Sequence, residues 1–216
     1  MLAPHADDES LGCGGLIAEA CARGRPPFVL VLTDGAGSHP GSRAYPPARL
    51  AALREAEARA AAAALGLPPG RVGFLRLPDT AAPTSGPTFD AAVRAILGRA
   101  AEVGCGLLLA PWRHDPHCDH EAAHLMAAEA ARRSGLVHLA YPVWGWTLPD
   151  AAELPGEAPR GWRLDVARHL PAKRRAIAAH ASQHAGLITD DPDGFALPAR
   201  FLLLFDGPFE TYLRDA

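Results

Sequence analysis

The chain has 216 residues, of which 49% are hydrophobic and 21% are charged, a composition typical of a globular protein. Glycine and proline, at 21 residues each, stay below the combined fraction of roughly 25–30% that marks low-complexity chains, so a mostly disordered protein is excluded. The net charge of -3 gives no general attraction to phosphate, which argues against a nucleic-acid binder or an anionic-membrane binder.

The cysteine pattern and the absence of long apolar runs indicate the cellular setting. Cys13, Cys21, Cys105 and Cys118 form no CxxC pair, which predicts neither a disulfide framework nor a cysteine-rich zinc site. No apolar run reaches the ~18 residues that span a bilayer, and no basic region followed by an apolar stretch opens the chain. We therefore expect a cytoplasmic protein without an integral membrane segment. The length predicts one domain over residues 1–216 and leaves the oligomeric state, including a homo-oligomer, open.

Short apolar runs alternate with alanine-rich amphipathic segments along the first 135 residues. The apolar runs predict four strands, at residues 1–3, 28–32, 72–75 and 107–110. The amphipathic segments predict four helices, each followed by a glycine, at residues 10–23, 47–65, 88–103 and 119–134. Strands that alternate with helices of this length predict an α/β fold with a mostly parallel, Rossmann-like sheet flanked by helices.

The remaining segments give weaker signals. Residues 149–161 read as a loop, residues 162–166 as a strand, and residues 171–184 as a helix. The first strand is so short that we expect the natural chain to start further upstream.

The first cluster of polar residues lies at the junction between the first strand and the first helix. Residues 4–9, Pro-His-Ala-Asp-Asp-Glu, place one imidazole and three carboxylates within five positions. Such a density of charge at a buried sheet edge is costly unless a divalent cation compensates it. The alternative is that Asp7 or Asp8 only caps the helix.

A second cluster follows the strand at 107–110. Residues 114–120, His-Asp-Pro-His-Cys-Asp-His, contain three histidines and two aspartates. In a parallel sheet the carboxyl ends of the strands meet at one crevice, so we expect the two clusters to converge there. Two histidines and one aspartate with an open position form a catalytic zinc arrangement.

The two clusters resemble the motifs of the LmbE-like, or GlcNAc-phosphatidylinositol-type (PIG-L), N-deacetylases. The motif Pro-His-Pro/Ala-Asp-Asp-Glu matches residues 4–9, and Asp-x-His-x-Asp-His matches residues 115–120. Weaker matches follow in the order of the family: Thr33-Asp34-Gly35, Arg54, Glu57, Ala61, Leu65-Gly66 and His180-x-Ser182-Gln183.

The resemblance implies a role for each residue of the two motifs. It assigns the metal ligands as His5, Asp8 and His120. It makes Asp7 the general base and His117 the group that stabilises the oxyanion and protonates the leaving amine, with Asp119 orienting His117. The implied metal is zinc, with another divalent cation such as Fe²⁺ as the alternative. Zinc polarises an amide carbonyl and lowers the pKa of water, a nearby carboxylate accepts a proton, and an imidazolium stabilises developing negative charge.

The resemblance also implies the reaction, hydrolysis of the acetamide of an N-acetylglucosamine-type sugar or glycoconjugate to a free amine and acetate. The partner is thus a small N-acetylated molecule and not a nucleic acid. Arg54, Asp34 and Asp115 are the candidate substrate contacts, although an arginine on a helix surface explains Arg54 equally well. Some members of the family carry a tyrosine at the position of Asp115, which leaves the oxyanion contribution of that tyrosine open.

Two other functions remain as alternatives. Residues 120–124, His-Glu-Ala-Ala-His, satisfy the HExxH pattern of zinc metalloproteases, in which Glu121 is the base and His124 a ligand. However, the third ligand that zincins use is missing from the expected positions. The glycine-rich segment 12–15 could indicate a non-catalytic Rossmann-like nucleotide-binding module, but GxGxxG is not satisfied, and packing against the sheet explains these glycines better.

Two further features have both a functional and a packing explanation. Four aromatic residues could form a platform for a sugar ring or simply pack in the core: Trp112, Tyr141, Trp144 and Trp146. Cys118 lies between two site residues and is expected to be a spacer rather than a nucleophile, since no histidine outside the metal site is assigned to activate it.

Overall fold

The computed structural model describes residues 1–149, 152, 154–155 and 160–214. Its seven strands are β1 Leu2–Ala3, β2 Val29–Thr33, β3 Val72–Leu77, β4 Leu107–Pro111, β5 Val137–Tyr141, β6 Arg160–Asp165 and β7 Phe209–Arg214. Its seven α-helices are α1 Asp8–Ala22, α2 Pro47–Ala64, α3 Gly86–Glu102, α4 Cys118–Ser134, α5 Leu170–Ala179, α6 Ala181–His184 and α7 Ala199–Leu202. Three short 3₁₀ helices cover Trp144–Thr147, Ala167–His169 and Leu203–Phe205.

The strands form a three-stranded parallel sheet, β1-β2-β3, and a four-stranded sheet, β4-β5-β7-β6. β4 and β5 run parallel, whereas β7 runs antiparallel to both β5 and β6. β1 lies beside β4, and the hydroxyl of Tyr141 in β5 donates to the carbonyl of Leu2 in β1 at 2.7 Å. The chain thus winds outward from β1 in one direction and from β4 in the other. The crevice at the carboxyl ends of β1 and β4 is therefore the topological switch point, where ligands bind in folds of this type.

Helices cover both faces of the sheet. Successive residues of a strand point to opposite faces, and both sets are apolar. Val29 and Val31 of β2 pack on the face that α1, α2 and α5 cover, whereas Leu30 and Leu32 pack on the face of α3 and α4. The apolar runs in the sequence are continuous for this reason. Among the described residues, no helix combines the length and apolar character that crossing a membrane requires.

Glycines in α1 allow this helix to lie directly against its neighbours. A Cβ atom on Gly12 would stand 2.2 Å from Cδ2 of Tyr141, and one on Gly15 would stand 2.5 Å from Cβ of Val166. Neither position has room for a side chain, which confirms packing as the explanation of the glycine-rich segment. The close approach fixes α1, and with it the carboxylates at its first turn, relative to the sheet.

A buried carboxylate of β7 also holds α1. Glu210, 4% exposed, accepts the backbone N–H groups of Gly15 at 2.7 Å and Leu16 at 2.8 Å. The ammonium of Lys173 in α5 donates to the same carboxylate at 2.7 Å, and the hydroxyl of Tyr212 donates at 2.8 Å. Four donors thus compensate this buried charge, and they join β7, α5 and α1.

The structure corrects the predicted elements in the second half of the chain. β5 and β7 have no counterpart among the predicted strands, and the antiparallel β7 makes the second sheet mixed. The helix predicted at 171–184 is two helices, because the backbone at His180 leaves helical geometry with φ -82° and ψ 51°. The strand predicted at 162–166 begins at Arg160 and ends at Asp165. Most of the loop predicted at 149–161 lies outside the described residues.

Candidate active site and metal centre

The switch point between β1 and β4 brings the two sequence motifs together. The first motif follows β1 and opens α1, and the second follows β4 and opens α4. Ring centroids of His5 and His120 stand 5.5 Å apart, and those of His5 and His117 stand 4.7 Å apart, although more than a hundred residues of chain separate the motifs. The predicted convergence of the two clusters is thus observed.

The three predicted metal ligands lie together, with His5 and His120 on either side of a carboxylate oxygen of Asp8. Oδ2 of Asp8 lies 3.3 Å from Nδ1 of His5 and 3.4 Å from Nε2 of His120. The side chains of Asp8 and His120 are 2% and 0% exposed. One carboxylate and two imidazoles with ring nitrogens turned towards it match the donor set of a catalytic zinc site.

Nε2 of His120 gives the clearest sign that a cation fits here. It is buried and makes no hydrogen bond with any residue in the described part of the chain. Nδ1 of the same ring lies 2.9 Å from Oδ2 of Asp115, so in the neutral ring the carboxylate holds the proton on Nδ1 and the lone pair is on Nε2. A carboxylate behind a histidine in this way is the usual support of a metal-binding imidazole.

The charges around these groups are strongly coupled. Burial alone would raise the pKa of Asp8, but His120 and His5 hold it well below its usual value. Burial would lower the pKa of His120, but Asp8 and Asp115 raise it to about 9. Without a cation the imidazoles therefore bind protons in its place. A divalent cation would supply the same compensation and displace those protons.

Asp7 sits beside this group and does not belong to it. Its Oδ2 lies 3.3 Å from Nη2 of Arg54. Asp7 is also one of the residues that line a cavity at the switch point, together with His5 and Asp8. Burial raises the pKa of Asp7 to about 6, against the opposing effect of Arg54. A carboxylate whose pKa lies near neutrality suits a general base.

Arg54 is buried, which rejects the explanation of a helix-surface arginine. Its guanidinium donates to the carbonyls of Gly35 at 3.1 Å and Ala6 at 3.2 Å, and its Nε makes no hydrogen bond within the described ranges. Gly35 has φ of +67°, and a Cβ atom there would stand 2.8 Å from the guanidinium, so only glycine fits at this position. Arg54 thus reaches the cavity from α2.

His117 is the N-cap of α4, and its ring faces the cavity. The backbone N–H of Asp119 donates to Nδ1 of His117 at 3.2 Å, which in the neutral ring places the proton on Nε2. His117 can therefore present an N–H donor to a developing oxyanion.

The side chain of Asp119 contacts His5 and not His117. Its Oδ2 lies 2.9 Å from Nε2 of His5 and accepts the N–H of Thr80 at 2.8 Å, while its Oδ1 accepts the N–H of Ala82 at 2.9 Å. Asp119 orients His117 only through its backbone N–H, and its carboxylate supports His5 instead.

The prediction omitted Asp79. Its Oδ1 lies 3.2 Å from Nε2 of His5, its Oδ2 accepts the N–H of Gly37 at 2.8 Å, and it lines the cavity. The signal was present, because Asp79 follows β3 at the same edge of the sheet, two residues after the strand ends.

Asp34 and Asp115 do not contact the cavity. Oδ1 of Asp34 accepts the N–H of Ala36 at 3.0 Å and closes a turn. Asp115 is buried behind His120 and accepts three backbone N–H groups, those of residues 143 to 145. The two predicted substrate contacts thus have positioning roles.

The four aromatic residues do not form one platform. Trp112 and Tyr141 are buried, and Trp146 is 47% exposed. Trp144 alone of the four lines the cavity, where it lies near Phe195 with ring centroids 6.0 Å apart. The packing explanation therefore holds for two of them.

The HExxH segment does not form a protease site. Glu121 is exposed to solvent, and Nδ1 of His124 lies 3.2 Å from the carbonyl oxygen of Pro111. His120 instead faces Asp8 and Asp115.

The cavity beside this cluster has a volume of about 170 Å³. The ionisable residues that line it are His5, Asp7, Asp8, Arg54, Asp79 and His117. The apolar residues that line it are Leu11, Val143, Trp144, Phe195 and Leu197. Gln183 of the predicted His-x-Ser-Gln segment also lines the cavity, whereas Ser182 donates to Glu57 and Nε2 of His180 lies 2.9 Å from Oε1 of Glu9.

Comparisons with known proteins identify relatives of this chain and solved structures with the same fold. A protein of Nocardia farcinica named 1D-myo-inositol 2-acetamido-2-deoxy-alpha-D-glucopyranoside deacetylase is 32% identical, over 89% of this chain and 82% of its own. The solved structure of the zinc-inhibited form of a teicoplanin deacetylase superposes with a TM-score of 0.71 at 20% identity, over 98% of this chain and 95% of that one. An N,N'-diacetylchitobiose deacetylase from Pyrococcus horikoshii superposes with a TM-score of 0.66 at 21% identity, over 84% and 68%.

The comparison with family models covers the segment that contains both motifs. The GlcNAc-PI de-N-acetylase (PIG-L) model matches residues 1–131, from β1 through most of α4. This chain therefore belongs to the GlcNAc-PI de-N-acetylase (PIG-L) family.

Proposed function

We propose that this chain is a metal-dependent N-deacetylase that hydrolyses the acetamide of an N-acetylglucosamine-type sugar or glycoconjugate. The Nocardia relative is named for an inositol glycoside of 2-acetamido-2-deoxyglucose, and the Pyrococcus neighbour for diacetylchitobiose. Both names share a 2-acetamido sugar, which supports the same substrate class here. The products are a free amine on the sugar and acetate.

One observation carries the proposal: the buried Nε2 of His120 faces the carboxylate of Asp8 at 3.4 Å and makes no hydrogen bond to any residue that the structure describes. We assign His5, Asp8 and His120 as ligands of a divalent cation, zinc first and Fe²⁺ as the alternative. When bound, the cation would polarise the amide carbonyl and lower the pKa of water.

The residues of the chain provide the proton transfers. Asp7 accepts a proton from the attacking water, whose oxygen forms the new bond to the carbonyl carbon. Nε2–H of His117 donates a hydrogen bond to the oxygen that becomes negative. The proton that Asp7 took from the water passes to the nitrogen as the C–N bond breaks, which returns Asp7 to its carboxylate form and leaves His117 neutral. Arg54 holds Asp7 in place and, with Asp79, offers polar contacts to sugar hydroxyls.

The whole of residues 1–216 is proposed to act as one deacetylase domain, because β7 and α5 hold the helix that carries Asp8. The partner is a small N-acetylated molecule. A cytoplasmic location and the lack of nucleic-acid binding stay predictions.

The test combines metal analysis with acetate release from a panel of N-acetylated sugars. We expect His120→Ala to lose both the bound metal and activity. The matched control is His124→Ala, one helical turn further along α4, which should keep the metal and turnover within about tenfold. A His120→Ala protein with full metal content and activity would reject the assignment.

A further inference from the structure

β6 is the last strand of the second sheet, and its outer edge has no strand beside it among the described residues. The strand order β4-β5-β7-β6 leaves one side of β6 unpaired. Five of its six residues are exposed, and Trp162 is 56% exposed. All six residues pair with β7 in an unbroken register. Lysine, proline and bulges, which often protect such an edge from pairing with another chain, are thus missing from residues 160–165.

The backbone groups of every second residue of β6 point away from β7. The N–H of Val166 donates to the carbonyl of Pro208 at 2.8 Å, which fixes the phase of the ladder between β6 and β7. Because these groups alternate in direction along a strand, those of the even-numbered residues face β7. The N–H and C=O groups of Gly161, Arg163 and Asp165 face outward. No hydrogen bond joins these outward groups to a residue within the described ranges.

A second copy of the chain can pair with this edge in only a few registers. When two identical strands pair in antiparallel fashion, the two-fold axis is normal to the sheet and passes between one residue and its own copy. With Arg163 at the axis, Gly161 lies opposite Asp165 of the second copy, and each opposed pair exchanges two hydrogen bonds. Registers centred on a neighbouring residue leave at least one of the three outward residues without a partner in β6. The register about Arg163 therefore forms the most hydrogen bonds.

This register also makes both faces of β6 self-complementary. On one face Trp162 lies opposite Leu164 of the second copy, in the pairs without hydrogen bonds, where side chains approach most closely. On the other face Arg163 reaches Asp165 of the second copy across the diagonal. In the single chain Arg163 lies over the ring of Phe209, and neither Arg163 nor Asp165 forms an ion pair with another described residue. Pairing of two copies thus places two positive and two negative charges on one face.

We propose that β6 is a homodimer interface, in which the edges of two copies join in antiparallel register about Arg163. The two four-stranded sheets then form one continuous sheet. Six residues of strand span only about 20 Å, so the buried area falls below the ~1,600 Å² of a standard interface, and we expect a weak dimer with a micromolar Kd. β4, beside the active site, lies at the opposite edge of each four-stranded sheet, so the cavity stays accessible in the dimer.

Sedimentation velocity measures the mass of the protein as its concentration rises. For the wild type we expect a change from the 22.7 kDa of one chain towards twice that mass. Concentrations of about 1–500 µM cover the Kd expected for an interface of this size. Arg163→Pro should raise the Kd at least ~10-fold, because proline removes an outward N–H from both strands and no hydrogen bond to β7. Far-ultraviolet circular dichroism and Tm check that this variant is folded.

Charge reversal tests the register and decides the proposal if Arg163→Pro does not fold. Arg163→Asp places four negative charges on one face and should raise the Kd at least ~10-fold. Adding Asp165→Arg restores two charges of each sign and should return the Kd to within about threefold of the wild type. The matched control is Arg25→Asp, the same change at an exposed arginine before β2, which should leave the Kd unchanged.

Amide hydrogen exchange gives a readout at single residues. The N–H groups of Gly161, Arg163 and Asp165 should become protected only at high concentration, whereas those of Trp162 and Leu164, bonded to β7, should be protected at every concentration. A wild type that keeps the mass of one chain at the highest concentration would overturn the proposal and leave the edge to a different partner strand. A dimer that tolerates both Arg163→Pro and Arg163→Asp would also overturn it, because its interface would lie elsewhere.

Discussion

Replacement of Asp115 by asparagine tests how the structure prepares His120 for a metal. The carboxylate of Asp115 is fully buried, and it holds Nδ1 of His120 through Oδ2 and the N–H of Gly145 through Oδ1, at 2.7 Å. Asparagine has the same shape but only one acceptor oxygen. In either orientation of the side chain, the amide NH₂ group therefore faces a donor, either Nδ1–H of His120 or the N–H of Gly145.

Both orientations have a cost that can be worked out. If the amide nitrogen faces Gly145, a buried N–H loses its acceptor, at about 1–3 kcal/mol. If it faces His120, it pushes the imidazole proton to Nε2, the atom that binds the metal. Loss of such a supporting carboxylate typically lowers metal affinity about 10–100-fold, or ~1.4–2.7 kcal/mol. A stability loss of 1–3 kcal/mol corresponds to a Tm decrease of about 2–12 °C for a chain of this size.

The assay separates these two effects. Metal affinity is measured by competition with a chelator of known affinity, and Tm is measured on the metal-free protein. The control is Asp34→Asn, where the aspartate closes a turn outside the cavity and metal affinity should not change. An Asp115→Asn protein with wild-type metal affinity would refute the claim that Asp115 sets the state of His120.

Three further predictions follow from the same contacts. Asp7→Asn should keep its metal and lose about 10²–10⁴ in kcat, measured by acetate release, because it removes the base and no ligand; near-normal turnover would disprove its role. Glu121→Gln should keep the metal and turnover within about tenfold, since the carboxylate is exposed; an inactive variant would restore the protease alternative. Hydrogen bonds from Arg168, His169 and Arg23 lower the pKa of Glu19 to about 2, so its stabilising effect is present above the ordinary pKa of 4.5 and is lost as the pH falls through 2. Urea unfolding should therefore show Glu19→Gln less stable than wild type at pH 7 and equally stable near pH 2, and an equal difference at both pH values would contradict this.

The sequence patterns predicted the first half of the fold well, for a physical reason. β2 and β4 are buried on both faces and so read as unbroken apolar runs, and α4 ends at Gly135, which adopts φ of 73°. β5 contains His138, and β7 contains Glu210 and Arg214. These polar residues interrupt the apolar runs that identify a buried strand. In β7 the buried charge is that of Glu210, which distant groups such as Lys173 compensate.

The sequence predicted which two distant segments converge at the candidate site, but not which side chains of those segments pair with each other. The motifs identified His5, Asp8 and His120, which the structure brings together. The pairing of Asp119 with His5 joins residues 114 positions apart and cannot be inferred from spacing. Asp79 was predictable in principle, since it follows a parallel strand at the site edge.

The contact between Glu210 and α1 has a consequence for the order in which this protein folds. Its two hydrogen bonds to the helix backbone join residues 195 and 194 positions apart. Loop closure over such a separation is slow and comes late, so α1 gains its last support only after β7 has been synthesised. A nascent chain that has already exposed both motifs therefore holds its carboxylates and imidazoles on an incompletely anchored helix. Cation capture by this protein is thus expected to follow translation of β7 rather than to accompany translation of the motifs.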